Sequence, residues 1–353
     1  MRAWAVVENE APLQEIELPT PEPQGTEVLL ETLYCGVCHS DIHIWEGRYD
    51  LGGGKGMRMK DRGITLPLAM GHEVVGRVVR LGPDAIGVKP GDIRIVFPWV
   101  GCGTCLACRS DEDNMCSTPR SLGVYRNGGY GTHVLALHPR HLVDPGAIDP
   151  ALAATYACSG LTVYSAIRKV LPRPPDEPIV VVGAGGLGLQ AIAILKALGH
   201  RAIVAVDISA EKRTAAEHAG ASKTVDGAGS EVTKAISAAC GGLALAIIDL
   251  VNGTATARFA FAALGKGGKL VQVGLFGGEF PLSLPLMPMR ALTLQGSYVG
   301  NPKELRELVR LAQSGPGPAI PITIMPQSQA NAALMRLRDG RVVGRLVLKA
   351  EAA

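Results

Sequence analysis

The sequence has almost no excess of one charge, and this bears on the partners that it can bind. Lysine and arginine together number 35 and the acidic residues 32, so the net charge is +3. Domains that bind nucleic acid usually carry a far larger basic excess. The composition therefore gives no reason to expect a nucleic-acid partner.

Long uninterrupted apolar segments are also lacking. The most apolar run, residues 179–195, is broken by glycines and favours a strand, a turn and a helix over a membrane span. The first ten residues include Glu8 and Glu10 and contain no apolar core of a signal peptide. Internal repeats and low-complexity segments are absent as well. We therefore expect a soluble, cytoplasmic protein with no membrane partner.

Length and composition favour two globular domains. A chain of 353 residues is long for one core, and 47% hydrophobic with 19% charged residues excludes a disordered chain. Residues 1–150 contain short apolar segments between turn signals, which predicts an antiparallel, barrel-like β domain. Two irregular inserts interrupt this pattern, a basic, glycine-rich insert at 52–63 and a cysteine-rich lobe at 101–119.

The pattern changes near residue 150. A helical, alanine-rich segment at 151–170 is followed by strands alternating with helices, and the strands are expected at 179–182, 202–206, 244–251, 269–274 and 292–298. This alternation predicts a parallel, doubly wound α/β sheet. The last sixty residues break it, with helices at 303–313 and 329–337 and a strand at 342–349. We divide the chain into a first domain at 1–154, a nucleotide domain at 155–291, and a segment at 292–353 that ends the sheet and returns to the first domain.

A glycine pattern follows the first of these parallel strands. Residues 183–188 spell G-x-G-x-x-G between a predicted strand and a predicted helix, the context that a dinucleotide-binding turn requires. The helix N-terminus would face a pyrophosphate. Asp207 ends the next strand, where a carboxylate accepts hydrogen bonds from ribose hydroxyls and repels a 2′-phosphate. NAD is therefore favoured over NADP, although Arg213 is close enough in sequence to leave NADP open.

Four cysteines lie within fifteen residues, at positions 102, 105, 108 and 116. Four thiolates on one short loop can close a tetrahedral zinc shell, which leaves no position for a substrate and therefore predicts a structural role. An iron–sulfur cluster and free thiols are the alternatives. The ligands are Cys102, Cys105, Cys108 and Cys116.

A second set of metal-binding residue types is dispersed along the chain. Cys38 lies in the stretch 35–43, which also contains two histidines, a serine and an aspartate, and His72 and Cys158 lie on separate segments. Two thiolates and an imidazole would leave a fourth zinc position open for catalysis. Spacing alone does not unite the three, because single residues of these types are more often structural. Cys35 is expected in the core, and we expect surface or loop positions for His133, His138, His141, His200 and His218.

The chain resembles the zinc-dependent medium-chain alcohol dehydrogenases, especially their bacterial and archaeal branch. The similarity rests on residues 36–43, 71–73, the four-cysteine lobe, 158–164, the glycine pattern with Asp207, 273–277 and 344–345. It implies a GroES-like catalytic domain, a Rossmann domain and an active site in the cleft between them. It also implies that Cys38, His72 and Cys158 bind the catalytic zinc, that Glu73 binds it transiently, and that Asp41 orients His72.

The resemblance also implies a proton relay and a set of cofactor contacts. Ser40 would hydrogen-bond the alcohol, and His43 would receive the proton through the cofactor ribose and release it, with a pKa suited to proton transfer near pH 7. NAD would contact His39, Thr162, Gly183, Gly185, Gly186, Leu187, Gly188, Asp207, Lys212, Val273, Leu275 and Arg345.

The substrate pocket implied by the family is reshaped here. Its walls would include Trp99, Ser121, Leu275 and Tyr298, and we expect primary or secondary alcohols of moderate size. The basic insert at 52–63 is either a solvated loop or a rim of the cleft that favours acidic or phosphorylated substrates.

Two other functions remain open from the sequence. One is a polyol or amino-alcohol dehydrogenase of the same superfamily, which Cys158 mildly disfavours because polyol relatives often use a glutamate there. The other is a nucleotide-binding sensor or structural protein without catalysis. The apolar edge strand at 292–298 predicts self-association, and the family favours a homotetramer.

Overall fold

The computed structural model describes residues 1–315 and 317–351. The first part of the chain is mainly β-structure, with two helices. Its elements are β1 (Arg2–Val6), β2 (Gln14–Glu17), β3 (Val28–Gly36), α1 (His39–Glu46), β4 (Arg48–Gly52), β5 (Lys55–Arg58), β6 (Leu68–Ala69), β7 (Glu73–Leu81), β8 (Ile93–Val96), α2 (Leu106–Arg109), β9 (His133–Ala136) and β10 (Leu142–Val143).

The middle of the chain alternates helices and strands. Its elements are α3 (Pro150–Thr155), α4 (Leu161–Val170), β11 (Ile179–Val182), α5 (Gly186–Ala197), β12 (Ile203–Asp207), α6 (Ala210–Ala219), β13 (Lys223–Asp226), α7 (Val232–Cys240), β14 (Ala244–Asp249), α8 (Thr254–Ala263), β15 (Leu264–Gln272), α9 (Leu286–Arg290) and β16 (Thr293–Gly296). The remaining elements are α10 (Pro302–Gln313), β17 (Ile322–Pro326), α11 (Ala330–Arg338) and β18 (Arg345–Lys349).

The middle elements form a six-stranded parallel sheet in the order β13-β12-β11-β14-β15-β16. This is the doubly wound order, in which the strand order reverses between β11 and β14 and opens a crevice at the carboxyl ends of the strands. All four residues of β11 are buried, because helices cover both faces of the sheet. The predicted Rossmann class is confirmed.

The other strands form the catalytic barrel. A seven-stranded sheet runs β10-β8-β7-β3-β18-β17, with β9 also paired to β3, and a smaller sheet contains β2, β1 and β6. The strands β17 and β18 thus return to the first part of the chain, and β18 pairs antiparallel with β3. The predicted GroES-like β-barrel is confirmed. Among the described residues, no helix combines the length and apolar character needed to cross a bilayer.

Two elements differ from the sequence prediction. The helix expected at 151–170 is interrupted between α3 and α4 by a π-helical turn, Tyr156–Gly160, which contains Cys158. The strand expected at 342–349 begins only at Arg345, because Gly344 has φ +80° and a Cβ there would lie 2.1 Å from the Pro321 carbonyl oxygen. Both departures arise from tertiary contacts near the cleft.

The basic insert forms a hairpin of β4 and β5 that crosses the cleft. A Cβ on Gly52 would lie 2.7 Å from the carbonyl carbon of Gly278, and Gly277 packs equally closely on Asp50. The hairpin therefore rests on the loop that follows β15 in the nucleotide domain. This contact joins the two sides of the cleft.

Candidate active site

Three separate segments bring Cys38, His72 and Cys158 together. Cys38 caps the N-terminus of α1, His72 immediately precedes β7, and Cys158 lies in the π-helical turn. The two sulfurs are 3.9 Å apart, and the ligand atoms of these residues and Glu73 lie within 4.8 Å of one another. All four side chains are buried. The geometry thus unites the dispersed residues that spacing could not.

Asp41 contacts both Cys38 and His72 of this cluster. Its Oδ2 accepts hydrogen bonds from the Cys38 amide at 2.9 Å and from the Tyr130 hydroxyl at 3.2 Å. Its Oδ1 lies 3.4 Å from Nδ1 of His72. The Nε2 atom of His72 is buried without a hydrogen-bond partner, so its lone pair can coordinate a metal.

The cluster fits zinc in both its chemistry and its dimensions. The Cys158 thiol and the His72 ring hold the pKa of Cys38 well below its usual range, although burial opposes them. Tetrahedral zinc with Zn–S of about 2.3 Å places two sulfurs about 3.8 Å apart. The observed separation of 3.9 Å agrees with this value.

Glu73 lies beside the three other ligands, and its carboxylate is held on one side by partners in the protein. Its Oε1 forms an ion pair with the buried Arg345 guanidinium and accepts a hydrogen bond from the Ser159 amide at 3.1 Å. Burial raises the pKa of the Glu73 carboxyl, whereas Arg345 lowers it. Its Oε2 has no partner, so this carboxylate keeps one free oxygen beside the metal ligands.

The lobe between residues 101 and 119 contains the second cysteine cluster. Sulfur–sulfur distances of 3.5, 3.7 and 4.0 Å connect Cys102, Cys105, Cys108 and Cys116. Hydrogen bonds from the Thr104 hydroxyl and from backbone amides lower the pKa of Cys102 to about 5. A thiolate set at these distances fits a closed tetrahedral zinc shell.

A cleft of about 800 Å³ connects the metal-ligand cluster to the glycine turn. The predicted site residues that line it, besides Cys38 and Cys158, are His39, Ser40, His43, Trp99, Ser121, Thr162, Gly183, Gly185, Gly186, Leu187, Gly188, Asp207, Lys212, Val273, Leu275, Tyr298 and Arg345.

The glycine turn leaves its backbone open to a ligand. Gly183 has φ +91°, and a Cβ on Gly188 would lie 1.9 Å from the Gly183 carbonyl oxygen, so this packing requires glycine. A Cβ on Gly185 would meet nothing within 4 Å, which leaves free space at the start of α5. Such a turn suits a pyrophosphate.

Asp207 is fixed at the end of β12. Its carboxylate accepts hydrogen bonds from the amides of Ala184 at 2.8 Å and Ser209 at 2.9 Å. Arg213 donates to the Asp207 carbonyl oxygen and pairs with Asp226 at 3.3 Å. Arg213 is thus engaged in these contacts and does not line the cleft, whereas Asp207 does.

His43 differs from the expectation that its pKa lies near 7. Burial and the neighbouring His39 lower the pKa of His43 to about 4. The ring packs 4.6 Å from the Tyr49 ring, between centroids, and its Nε2 is buried without a hydrogen-bond partner. His43 is therefore neutral at pH 7 and has one free ring nitrogen for a hydroxyl group.

The cleft contains residues that the sequence did not single out, because they share no spacing signal. Tyr49, Met57 and Met59 come from the hairpin and the turn after it, and Tyr125 comes from the loop after the cysteine lobe. Arg62 of the basic insert, which the sequence placed either in a solvated loop or at the rim of the cleft, also lines it. The basic insert gave one clue, since it lies between two ligand segments. The structure therefore assigns part of this insert to the wall of the cleft.

Two of the histidines that were expected at surface or loop positions are buried. His141 is 3% exposed and lies 3.4 Å from Asp113 under the cysteine lobe. His200 is 6% exposed and its Nε2 is 2.8 Å from the Glu177 carbonyl oxygen. The His200 ring therefore has a polar partner that offsets its burial, whereas neither ring nitrogen of His141 forms a hydrogen bond.

The fold and the two cysteine-containing clusters define a two-domain zinc-binding dehydrogenase. Residues 24–144 match the family described as alcohol dehydrogenase GroES-like domain, and residues 186–314 match the family described as zinc-binding dehydrogenase. The chain belongs to the zinc-dependent medium-chain alcohol dehydrogenase family.

Relatives cover the chain almost completely. It is 37% identical to an NAD-dependent alcohol dehydrogenase of Sulfurisphaera tokodaii over 99% of both chains. It is 33% identical to an alcohol dehydrogenase of Geobacillus stearothermophilus, again over 99% of both. The crystal structure of the alcohol dehydrogenase from Aeropyrum pernix matches with a TM-score of 0.90 and 31% identity, over 99% of this chain and 100% of that chain.

A sugar dehydrogenase is also similar. The crystal structure of the D-arabinose dehydrogenase from Sulfolobus solfataricus matches with a TM-score of 0.83 and 29% identity, over 99% of this chain and 98% of that chain. The family therefore includes more than one substrate class at this level of similarity.

Proposed function

We propose that the protein transfers a hydride between a primary or secondary alcohol and NAD+, giving an aldehyde or a ketone, with zinc at the reaction centre. The observation that supports this most is the convergence of Cys38, His72 and Cys158, the two cysteines of which line a cleft that also contains the glycine turn. The substrate and the nicotinamide can therefore meet beside the metal ligands.

The residues divide the chemistry among them. When bound, zinc supplies a Lewis acid that lowers the pKa of an alcohol, and NAD+ supplies a hydride acceptor. Cys38, His72 and Cys158 hold the metal, and Asp41 fixes the His72 ring. Ser40 accepts the alcohol proton, since a hydroxyl can both accept and donate, and neutral His43 passes it to solvent.

The cofactor contacts follow the cleft. The amides of the glycine turn hold the pyrophosphate, with His39 and Arg345 near it, and Asp207 with Lys212 holds the adenosine ribose. Thr162, Val273 and Leu275 position the nicotinamide. The buried, unpartnered Thr162 hydroxyl supports this role, because such a group is stabilised by a ligand that hydrogen-bonds to it.

The test measures zinc content and NADH formation with a panel of primary, secondary and cyclic alcohols. We expect two zinc ions per chain and turnover of several alcohols of moderate size. Two zinc ions without turnover of any alcohol or aldehyde would favour the NAD-binding sensor instead. Sugars and NADP+ belong in the panel, because the D-arabinose dehydrogenase has the same fold. A clear preference for sugars would support the polyol alternative.

The same proposal includes a cytoplasmic homotetramer. All eight described cysteines are free, and six of them form the two clusters, which suits a reducing compartment. The strand β16 lies at the edge of its sheet and offers unpaired backbone groups to a second copy.

A further inference from the structure

All four cations of the basic insert are exposed, but only one of them lines the cleft. The insert contains Lys55, Arg58, Lys60 and Arg62. Arg58 forms a two-pronged ion pair with Asp61, with distances of 2.9 and 3.1 Å, and does not line the cleft. Of the four cations, Arg62 alone lines it. This residue is therefore the one through which the insert can act on a substrate.

An aromatic path leads from the metal ligands to Arg62. The Trp99 ring lies 5.0 Å from the His72 ring and 6.3 Å from the Tyr298 ring, between centroids. Tyr298 and Tyr49 line the cleft with Arg62, and the Arg62 charge lowers the pKa of both phenols against the larger effect of burial. A substrate that reacts beside His72 can thus extend along apolar rings toward a guanidinium.

In the part of the chain that the structure describes, no acidic oxygen lies within 4.0 Å of the Arg62 guanidinium, whereas Arg58 in the same turn is paired. The acidic side chains of the cleft are held elsewhere. Asp50 packs on Gly277 and Glu279 on Gly53, beside the loop that follows β15, and Asp207 is fixed beside the glycine turn. The cationic end of the pocket is therefore available to an anion.

We infer that Arg62 binds a carboxylate at the far end of the substrate, so that the enzyme prefers hydroxy acids with a terminal alcohol, and the matching aldehyde acids, over neutral alcohols. A single planar guanidinium matches the two oxygens of a carboxylate, whereas a phosphate dianion usually recruits more donors. The segment between the two functional groups is apolar or aromatic, to match Trp99 and Tyr298. This inference rests on the proposed alcohol dehydrogenase function and names its substrate class.

The main experiment compares terminal hydroxy acids of increasing length with their methyl esters. The zinc-loaded enzyme is assayed with NAD+, and kcat/KM is obtained for each acid and ester. At the best length we expect the acid to exceed its ester by about threefold to tenfold, because a partly exposed charge pair contributes less than a buried one. Salt should reduce this ratio, because the pair is partly exposed.

Variants of Arg62 test whether this residue causes the preference for the acid over its ester. In Arg62→Gln the acid-to-ester ratio should fall to about one, mainly through a higher KM for the acid. Arg62→Lys should keep part of the ratio, since it retains the charge but loses the planar fork. The matched control is Arg58→Gln, which removes a neighbouring cation outside the cleft and should retain the full ratio.

A binding measurement tests the preference for a carboxylate without catalytic turnover. Amides with a terminal carboxylate, and their methyl esters, are titrated into the enzyme with zinc and NADH by calorimetry. We expect about threefold to tenfold tighter binding of the carboxylate in the wild type and equal binding in Arg62→Gln.

The outcomes distinguish this inference from the proposed function. Turnover of neutral alcohols without a preference for acids, or a full preference in Arg62→Gln, would overturn the role of Arg62 and leave the alcohol dehydrogenase intact. Failure to turn over either class would overturn the proposed function, and the inference with it.

Discussion

At the scale of single residues, the site depends on buried polar side chains whose hydrogen bonds within the protein are incomplete. Asp41 accepts from the Cys38 amide and the Tyr130 hydroxyl, and faces His72. His72 and His43 each retain a buried ring nitrogen without a hydrogen-bond partner. Such atoms are costly in an empty cleft and are stabilised by a metal or a ligand. Both histidines are among the residues that we place in the reaction.

Ser40→Ala tests the first proton acceptor. The serine lies on the cleft wall in the first turn of α1, so its hydroxyl can be removed without disturbing the buried ligands. We expect kcat for alcohol oxidation to fall by about 100-fold or more, the usual contribution of a positioned proton-transfer group. Zinc content and NADH affinity, measured in parallel, should stay at wild-type values. Full activity of this variant would remove Ser40 from the relay.

The low pKa of His43 predicts that the stability of the fold depends on pH. Its folded pKa of about 4 lies below the usual value of 6.5, so the unfolded chain binds more protons between these values. The contribution of His43 to the free energy of unfolding is therefore fully present above pH 6.5 and is lost as the pH falls toward 4. At pH 5 the loss is about 2 kcal/mol. Denaturant unfolding of the NAD-free protein at pH 8 and pH 5 measures this loss.

The comparison variant for this titration is His43→Gln. It should lack the part of the pH dependence that His43 contributes, whereas His218→Gln, on the exposed face of α6, should keep the wild-type dependence. An identical loss of stability in wild type and His43→Gln would contradict the low pKa.

At the scale of elements, the regular parts of the fold were predictable and the irregular parts were not. Apolar strands alternating with helices identified the doubly wound sheet, and the glycine pattern identified the turn before α5, because local sequence determines both. The π-helical turn around Cys158 depends on the Ser159 amide, which donates to Glu73 from another segment. The position of Arg62 depends on a hairpin that packs on the loop following β15. Neither contact leaves a periodic signal.

The turn before α5 offers a pair of matched glycine variants. Gly188→Ala should destabilise the fold, because its Cβ would lie 1.9 Å from the Gly183 carbonyl oxygen. Gly185→Ala should fold normally, because its Cβ would meet nothing within 4 Å, but should weaken NAD binding at the pyrophosphate. Thermal unfolding and NADH titration separate the two effects. Equal melting temperatures for both variants would contradict this division of roles.

Loss of one cysteine of the lobe tests the proposed structural zinc site. Cys105→Ser should reduce the zinc content from two ions to one per chain and lower the melting temperature. The lobe contacts the pocket wall, since Asn114 donates to the Tyr298 carbonyl oxygen at 3.2 Å. We therefore also expect a higher KM for the alcohol. Cys240→Ser, outside both clusters, is the control, and an unchanged zinc content in Cys105→Ser would contradict the proposed ligand set.

At the scale of the whole molecule, exposed apolar residues near β16 provide a test of the proposed self-association. Leu284 is 75% exposed and Met289 is 71% exposed, close in sequence to the edge strand β16. Water-exposed side chains of this size are stabilised by burial in an interface. The double change Leu284→Asp with Met289→Asp should lower the mass of the assembly measured by light scattering. Ile86→Asp, which alters an 81% exposed residue in the first domain, should not, and an unchanged mass in the double variant would move the interface elsewhere.

The return of the chain to the catalytic barrel has a consequence for biosynthesis. Translation supplies the metal ligands Cys38, His72 and Cys158 early, but β18, which pairs with β3 and provides Arg345 to Glu73, leaves the ribosome after the whole nucleotide domain. The nucleotide domain has all six of its strands before then. A nascent chain can therefore complete its Rossmann sheet while the barrel still lacks a central strand and Glu73 still lacks its counterion. We expect the nucleotide domain to fold first, and the catalytic metal to become stably bound only after synthesis has passed Lys349.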